Sequence, residues 1–262
     1  MPFKPLFTAI ILVGCSCHNN ARSSAAEKNP PKTTVKHSLH DNPFAHIGDI
    51  PLPEGFTRDF AAVSSFTYFL RKVELKKDKT VHLYNGFPKT NQFAQFAVLN
   101  ITVGNNDLQQ CADAVMRLRA EYLFASGKYE QIIFKDNRGT AYPFSAPYSR
   151  DHFNSYLQRV FGMCGSASLA KTLNRAEFSD IRPGDVLIRG GFPGHAEMVM
   201  DVAVNEWGKK IFMLAQSYMP AQDIHVLVNP ANKDLSPWYE VNENRLVPTP
   251  EYLFYSNELK RW

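Results

Sequence analysis

The sequence has little of what marks several large function classes. No dense run of lysine or arginine occurs in its 262 residues, and the formal net charge of +4 comes from interspersed acids and bases. A phosphate backbone needs concentrated positive charge, so nucleic acid is not an expected partner. The one apolar run, at the N-terminus, is too short for a membrane-spanning helix. No internal repeat is evident. No His-Glu-x-x-His motif occurs, and the Pro-Cys-x-x-Cys half of the zinc-deaminase pattern is absent. No cofactor motif is read from the chain. What remains is a chain with 44% hydrophobic and 13% aromatic residues, enough to bury a sizeable core in one large or two small domains.

Four cysteines are present: Cys15, Cys17, Cys111 and Cys164. The opening stretch MPFKPLFTAIILVGC has one lysine, an apolar run, then Leu12-Val13-Gly14 before Cys15. It resembles a bacterial lipoprotein signal, which implies lipidation of Cys15 and a membrane anchor through that lipid. Residues 1–15 are then signal and lipobox. Residues 16–43, rich in Asn, Ser, Ala, Lys and Pro, read as a flexible tether. An envelope compartment permits disulfides, so a Cys111–Cys164 bridge competes with catalytic use of either thiol.

Residues 44–262 read as a single globular domain. SSFTYFLRKVEL (64–75), VHLYNGF (81–87, with Asn85-Gly86 as a turn) and FAVLNITV (96–103) are expected strands. The clearest helix follows. Asp107 is the expected N-cap, Gln110 completes a capping-box pattern, and Gly127 ends it. Leu108, Cys111, Val115, Leu118 and Tyr122 form one apolar stripe. A helical pattern broken near 162–165 comes next, and strands dominate from Asp180 onward. The order predicts an α+β fold with a mostly antiparallel sheet.

The chemistry centres on RPGDVLIRGGFPGHAEMVMDV (182–202), where a glycine-rich loop delivers His195 to the start of a strand. Alternation puts His195, Glu197, Val199 and Asp201 on one face and Ala196, Met198, Met200 and Val202 on the other. Gly191 and Gly194 lift steric limits beside the histidine and are candidate substrate contacts. By its local features alone, the histidine also fits the rim of an ordinary hairpin. Cys111, in the first turn of its helix, is placed where N–H groups favour a thiolate, or else it is a buried packing residue. The polar stretch QSYMPAQDIH adds Ser217, Gln222 and His225 as candidate peptide- or sugar-binding groups.

The order of these features resembles the papain-like NlpC and CHAP peptidase/amidase families. RPGDVLI resembles the strand before the family histidine, and HAEMVMDVAVNEWGKKIFMLAQS the histidine strand, a turn and the next strand. The resemblance implies Cys111 as nucleophile at the start of a capped helix, His195 as base and Gln216 as orienting residue. It covers residues 107–228, with an unmatched helical insert at 129–174 and N-terminal strands outside it. The sequence departs from the family in the neighbours of Cys111 (Gln110, Ala112, Asp113) and in carrying Glu197. Cys164, after a glycine at a second helix start, is the rival nucleophile. DLQQCADAVMRLRAEYL, GGFPGHAEMVMDVA and AQSYMPAQDIHVL together resemble a lipoprotein family catalogued as a domain of unknown function, which implies a location and no activity.

Three functions follow as expectations. The first is a cysteine peptidase or amidase in the cell envelope, acting on peptide amides such as those of cell-wall peptide. The second is a non-catalytic binding lipoprotein on the same fold. The third is a metal hydrolase in which His195, Glu197, Asp185, Asp201 and His225 converge on an ion.

Overall fold

A computed structural model describes residues 1–2, 41–243 and 245–262. The signal stretch, Cys15 and nearly all of the tether lie outside the described residues. The chain divides into two units, Met1–Lys36 and His37–Trp262.

The centre of the domain is α2 (Cys111–Ala125), which follows β1 (Phe56–Thr57), α1 (Phe66–Arg71) and β2 (Gln95–Val98). Alanine, leucine and methionine give α2 high helix propensity. Ala112, Ala114, Val115, Met116, Leu118 and Ala120 are buried, as befits a helix enclosed by other elements. A hairpin of β3 (Ile133–Lys135) and β4 (Ala141–Pro143) follows. Next come α3 (Arg150–Met163), α4 (Ser166–Thr172) and β5 (Asn174–Arg175). Ser149 caps α3 by accepting the His152 N–H at 3.2 Å. Phe153, Tyr156, Leu157 and Val160 recur at helical spacing on its buried side. The 129–174 insert is therefore a hairpin as well as two helices.

The strand-rich half supplies β6 (Val186–Arg189), β7 (His195–Asn205), β8 (Lys210–Gln216), β9 (His225–Leu227) and β10 (Tyr239–Glu240). It ends with β11 (Leu246–Pro248), β12 (Leu253–Tyr255) and β13 (Leu259–Arg261). Among the described residues, a nine-stranded sheet runs β2-β9-β8-β7-β6-β13-β5, with β1 on β7 and β10 on β8, and the pairings are antiparallel. The α+β, antiparallel expectation therefore holds. The sheet is not confined to 107–228, since β2 and β13 complete it from either side.

The sheet has an apolar layer on each face. Ala196, Met198, Met200 and Ala203 of β7 join the cluster containing α2, α3 and α4, while Val199 and Val202 join Leu214, Val247 and Phe254 on the other face. The simple alternation expected along β7 fails after Val199. A register shift between Val199 and Asp201 carries Val202 to the face of Val199. Asp201 leaves the His195 face and receives Arg58 Nε at 2.5 Å and Arg71 Nε at 2.7 Å.

Three other expectations are corrected. Residues 64–75 contain helix α1 rather than a strand. Their aromatic content reads as strand, but Ser65 Oγ accepts the Tyr68 N–H at 3.1 Å, and the Phe66 and Phe69 rings pack on Tyr122 of α2 at 4.9 and 5.8 Å. Residues 81–87 form a turn with isolated bridges from His82 to Pro88 and Leu83 to Gln222, and Pro88 has no N–H for a ladder. The N-cap of α2 is Gln110, not Asp107, so the helix begins at Cys111.

The Pro-Gly-Asp turn before β6 is held from the chain's end. Asp185 accepts the Arg182 N–H at 2.9 Å and takes a two-point contact from Arg261 Nε and Nη2 at 2.6 and 2.7 Å. Gly184 has φ of +92°, and a Cβ there would meet the Phe66 ring at 2.6 Å. The turn that aims β6, and through it the histidine loop, thus depends on α1 and β13.

Candidate active site

Cys111 is the first residue of α2, where the helix leaves N–H groups without intrahelical partners. Asp113 fixes that end by accepting the Gln110 N–H at 3.0 Å. Asp107, displaced from the cap, accepts the Ala221 N–H at 2.6 Å and the Gln110 side-chain amide at 3.1 Å. Ser217 Oγ lies 2.8 Å from both Gln109 O and Gln222 O. These contacts tie the start of the cysteine helix to the segment that follows Gln216.

His195 opens β7 and pairs with Arg189 of β6. Its Nε2 donates to Gln216 Oε1 at 2.6 Å, and Glu197 Oε1 is 3.5 Å from the same nitrogen. Burial works to lower the imidazole pKa. A hydrogen bond with Cys111 and the neighbouring Glu197 carboxylate outweigh it and raise the pKa to about 10. Protonation of the ring is thereby favoured. Tyr218, Tyr252 and Phe254 enclose it at ring-centroid distances of 4.8, 4.9 and 5.9 Å.

The Gln216 amide has one consistent orientation. Its nitrogen donates to Glu251 Oε2 at 2.7 Å and lies 3.4 Å from His225 Nε2. Burial, helped by the Lys89 charge, brings the His225 pKa down to about 4. His225 is thus neutral, donates through Nδ1 to Asp223 O at 2.9 Å, and offers a bare Nε2. With its nitrogen so committed, Gln216 must turn its oxygen to His195. Glu251 is itself held by Lys89 and by Asn91 Nδ2 at 3.1 Å. Burial works to raise the Glu251 carboxyl, and Lys89 overrides it, leaving its pKa below the usual value.

The segment between β11 and β12 thus reaches three members of the site. Thr249 Oγ1 is 2.8 Å from Glu197 Oε1, Glu251 anchors Gln216, and Tyr252 covers His195. Sequence reasoning missed Thr249, Glu251, Tyr252 and Lys89. Glu197 alone carried a visible signal, a carboxylate two positions past the histidine on its face of the strand.

Cys111 opens on a cleft of about 210 Å³ whose lining includes Ser166, Gly191, Phe192, Gly194 and Met219. Gly191 faces open space. At Gly194 a Cβ would meet Gly191 O at 2.3 Å and Ser166 Oγ at 2.6 Å, so its bareness first serves the packing of the loop on α4. Ser217, Gln222 and His225, expected as substrate contacts, are buried; Ser217 Oγ bonds the backbone of Gln109 and Gln222 and His225 Nδ1 that of Asp223, while Gln222 Nε2 is left without a partner. Cys111 and Cys164 are both free thiols, so the envisaged disulfide is not formed. Cys164 also borders the cleft, but it ends α3, and burial pushes its pKa up to about 11. An open groove of about 640 Å³ at Lys76, His82, Tyr84 and Asp223 shares no lining residue with the cleft.

The sequence matches the family described as Domain of unknown function (4846) over residues 48–146 and 136–261. The chain belongs to this family. No curated protein and no solved structure matches the chain. In this family member both matched segments feed the site: the first contains Lys89 and Cys111, the second His195, Gln216 and Glu251.

The expected convergence of His195, Glu197, Asp185, Asp201 and His225 on an ion is not seen. Among the described residues no group of three or more such side chains is arranged to hold a metal. Asp185 is taken by Arg261 and Asp201 by Arg58 and Arg71, and His225 turns Nδ1 to its own backbone neighbour.

Proposed function

We propose that the protein is a cysteine peptidase or amidase with a papain-like core, lipid-anchored in the bacterial envelope. The observation that carries this reading is the arrangement of His195, with Nε2 fixed by Gln216 at 2.6 Å and with Cys111, the first residue of a helix, acting together with Glu197 to raise the imidazole pKa against burial. Imidazolium beside a helix-start thiol favours the thiolate. Cys111 Sγ attacks the amide carbonyl carbon, and the carbonyl electron pair moves to oxygen, toward unpaired N–H groups of the first turn of α2. The tetrahedral intermediate collapses, the C–N bond breaks, and His195 gives its proton to the leaving amine. Water, deprotonated by the now neutral His195, then cleaves the thioester and frees the acid.

The envelope location rests on the Leu12-Val13-Gly14-Cys15 stretch, and cell-wall peptide follows from that location. The test is turnover of amide bonds in cell-wall peptide fragments by the intact chain and by Cys111→Ala. The reading expects cleavage by the first and none by the second, with both folded. Retention of a bound fragment without turnover, unchanged in Cys111→Ala, would favour a binding protein, to which the exposed Phe192 and Met219 at the cleft rim are also suited.

A further inference from the structure

Glu197 is 0 % exposed, yet its carboxylate is poorly satisfied. Oε2 has no hydrogen-bond partner. Oε1 is approached by the Thr249 hydroxyl, whose single proton is shared with Tyr252 O at 3.0 Å. Among the described residues, the only basic group within 4 Å of it is His195. A buried carboxylate so poorly solvated is tolerated when a positive charge stands beside it.

We propose that Glu197 is a positioning residue that keeps His195 protonated, making the site a unit of four residues, Cys111, His195, Gln216 and Glu197. This rests on the cysteine-hydrolase reading. The other groups around the ring do not replace Glu197. Gln216 is neutral, and Glu251 bonds Gln216 rather than the ring. His225 is neutral, and Tyr218 and Tyr252 supply ring faces. From α2 the one charged contributor is Cys111, once ionised.

The consequence is an unequal division of the histidine's two tasks. A protonated His195 is ready to hold the thiolate and to protonate the leaving amine. Thioester hydrolysis needs the neutral ring, so Glu197 moves that step toward alkaline pH.

The experiment separates the two anions. In Cys111→Ala the thiolate is gone, and NMR titration of the histidines follows His195, assigned by its loss in His195→Gln. With Glu197 in place, His195 is expected to titrate at least about 1 unit above its ordinary value of about 6.5. Adding Glu197→Gln should bring it below about 6.5, because burial is then left to act alone. A Cys111→Ala protein whose His195 titrates at or below about 6.5 overturns the proposal while leaving the hydrolase reading intact. A raised His195 in a protein that cleaves no amide leaves Glu197 in this role and removes the hydrolase. If Glu197→Gln does not fold, the Cys111→Ala titration decides by itself.

Discussion

Replacing Gln216 by alanine removes two bonds to charged groups at once. His195 loses the oxygen 2.6 Å from Nε2, and Glu251 loses the amide donor at 2.7 Å. A hydrogen bond to a charged group contributes about 1.5–3 kcal/mol, so the pair amounts to roughly 3–6 kcal/mol. The space vacated is polar, bordered by His225 and Glu251, and water entering it would recover part of that. The expected loss is therefore near the lower end, about 3 kcal/mol. Urea denaturation reads it as a lower midpoint with an unchanged slope. The same variant frees the imidazole to turn, so alkylation of Cys111 should lose its dependence on His195. A stability loss below about 1 kcal/mol, with alkylation unaffected, would refute the claim that Gln216 joins the histidine to Glu251.

Three further outcomes are expected. The two buried histidines should give stability a maximum near pH 6.5. His195, raised to about 10, contributes fully below about 6.5 and its contribution is lost as pH rises through about 10; His225, lowered to about 4, contributes fully above about 6.5 and its contribution is lost as pH falls through about 4. Thermal midpoints across pH 4–10 test this, and His225→Asn should flatten the acid side. Gly184→Ala should destabilise by about 1–3 kcal/mol through its positive φ, with a further contribution from displacing Phe66; a midpoint equal to that of the wild type would contradict the turn described. Under native conditions at pH 7, peptide mapping after iodoacetamide should find Cys111 modified well before Cys164, whose thiol is buried and raised to about 11; the reverse order would exchange their roles.

Much of the chain's organisation is visible in local pattern. The alanine-rich helix and the strands that begin at Val186, His195, Lys210 and His225 carry strong periodicity or continuous apolar runs, and they fall where a helix between Asp107 and Gly127 and strands from Asp180 onward are expected. Cys111 and His195 could be picked out because each stands at the start of such an element, and Gln216 through the resemblance to the NlpC and CHAP families. The failures have physical causes. Phe66, Tyr68 and Phe69 favour a strand by type, but they form a helix because Ser65 caps it and their rings are needed against Tyr122. Ser217, Gln222 and His225 look like an exposed polar loop, but they are buried, with Ser217 Oγ bonded to the backbone of Gln109 and Gln222 and His225 Nδ1 to that of Asp223. Lys89 and Glu251 are 162 positions apart and meet only after the sheet has formed. No spacing rule connects them. Thr249 and Tyr252 likewise sit in a short segment without periodicity, and their part in the site is set by where that segment returns across His195.

The central claim is that His195 governs the chemistry of the Cys111 thiol. Its most direct measurement is the pH dependence of Cys111 carboxamidomethylation in the native full chain, compared with His195→Asn. The account predicts that alkylation of Cys111 depends on His195, so that His195→Asn slows it at neutral pH and changes the shape of its pH profile. Superimposable profiles would contradict it, leaving Cys111 a packing residue and the cleft a binding site.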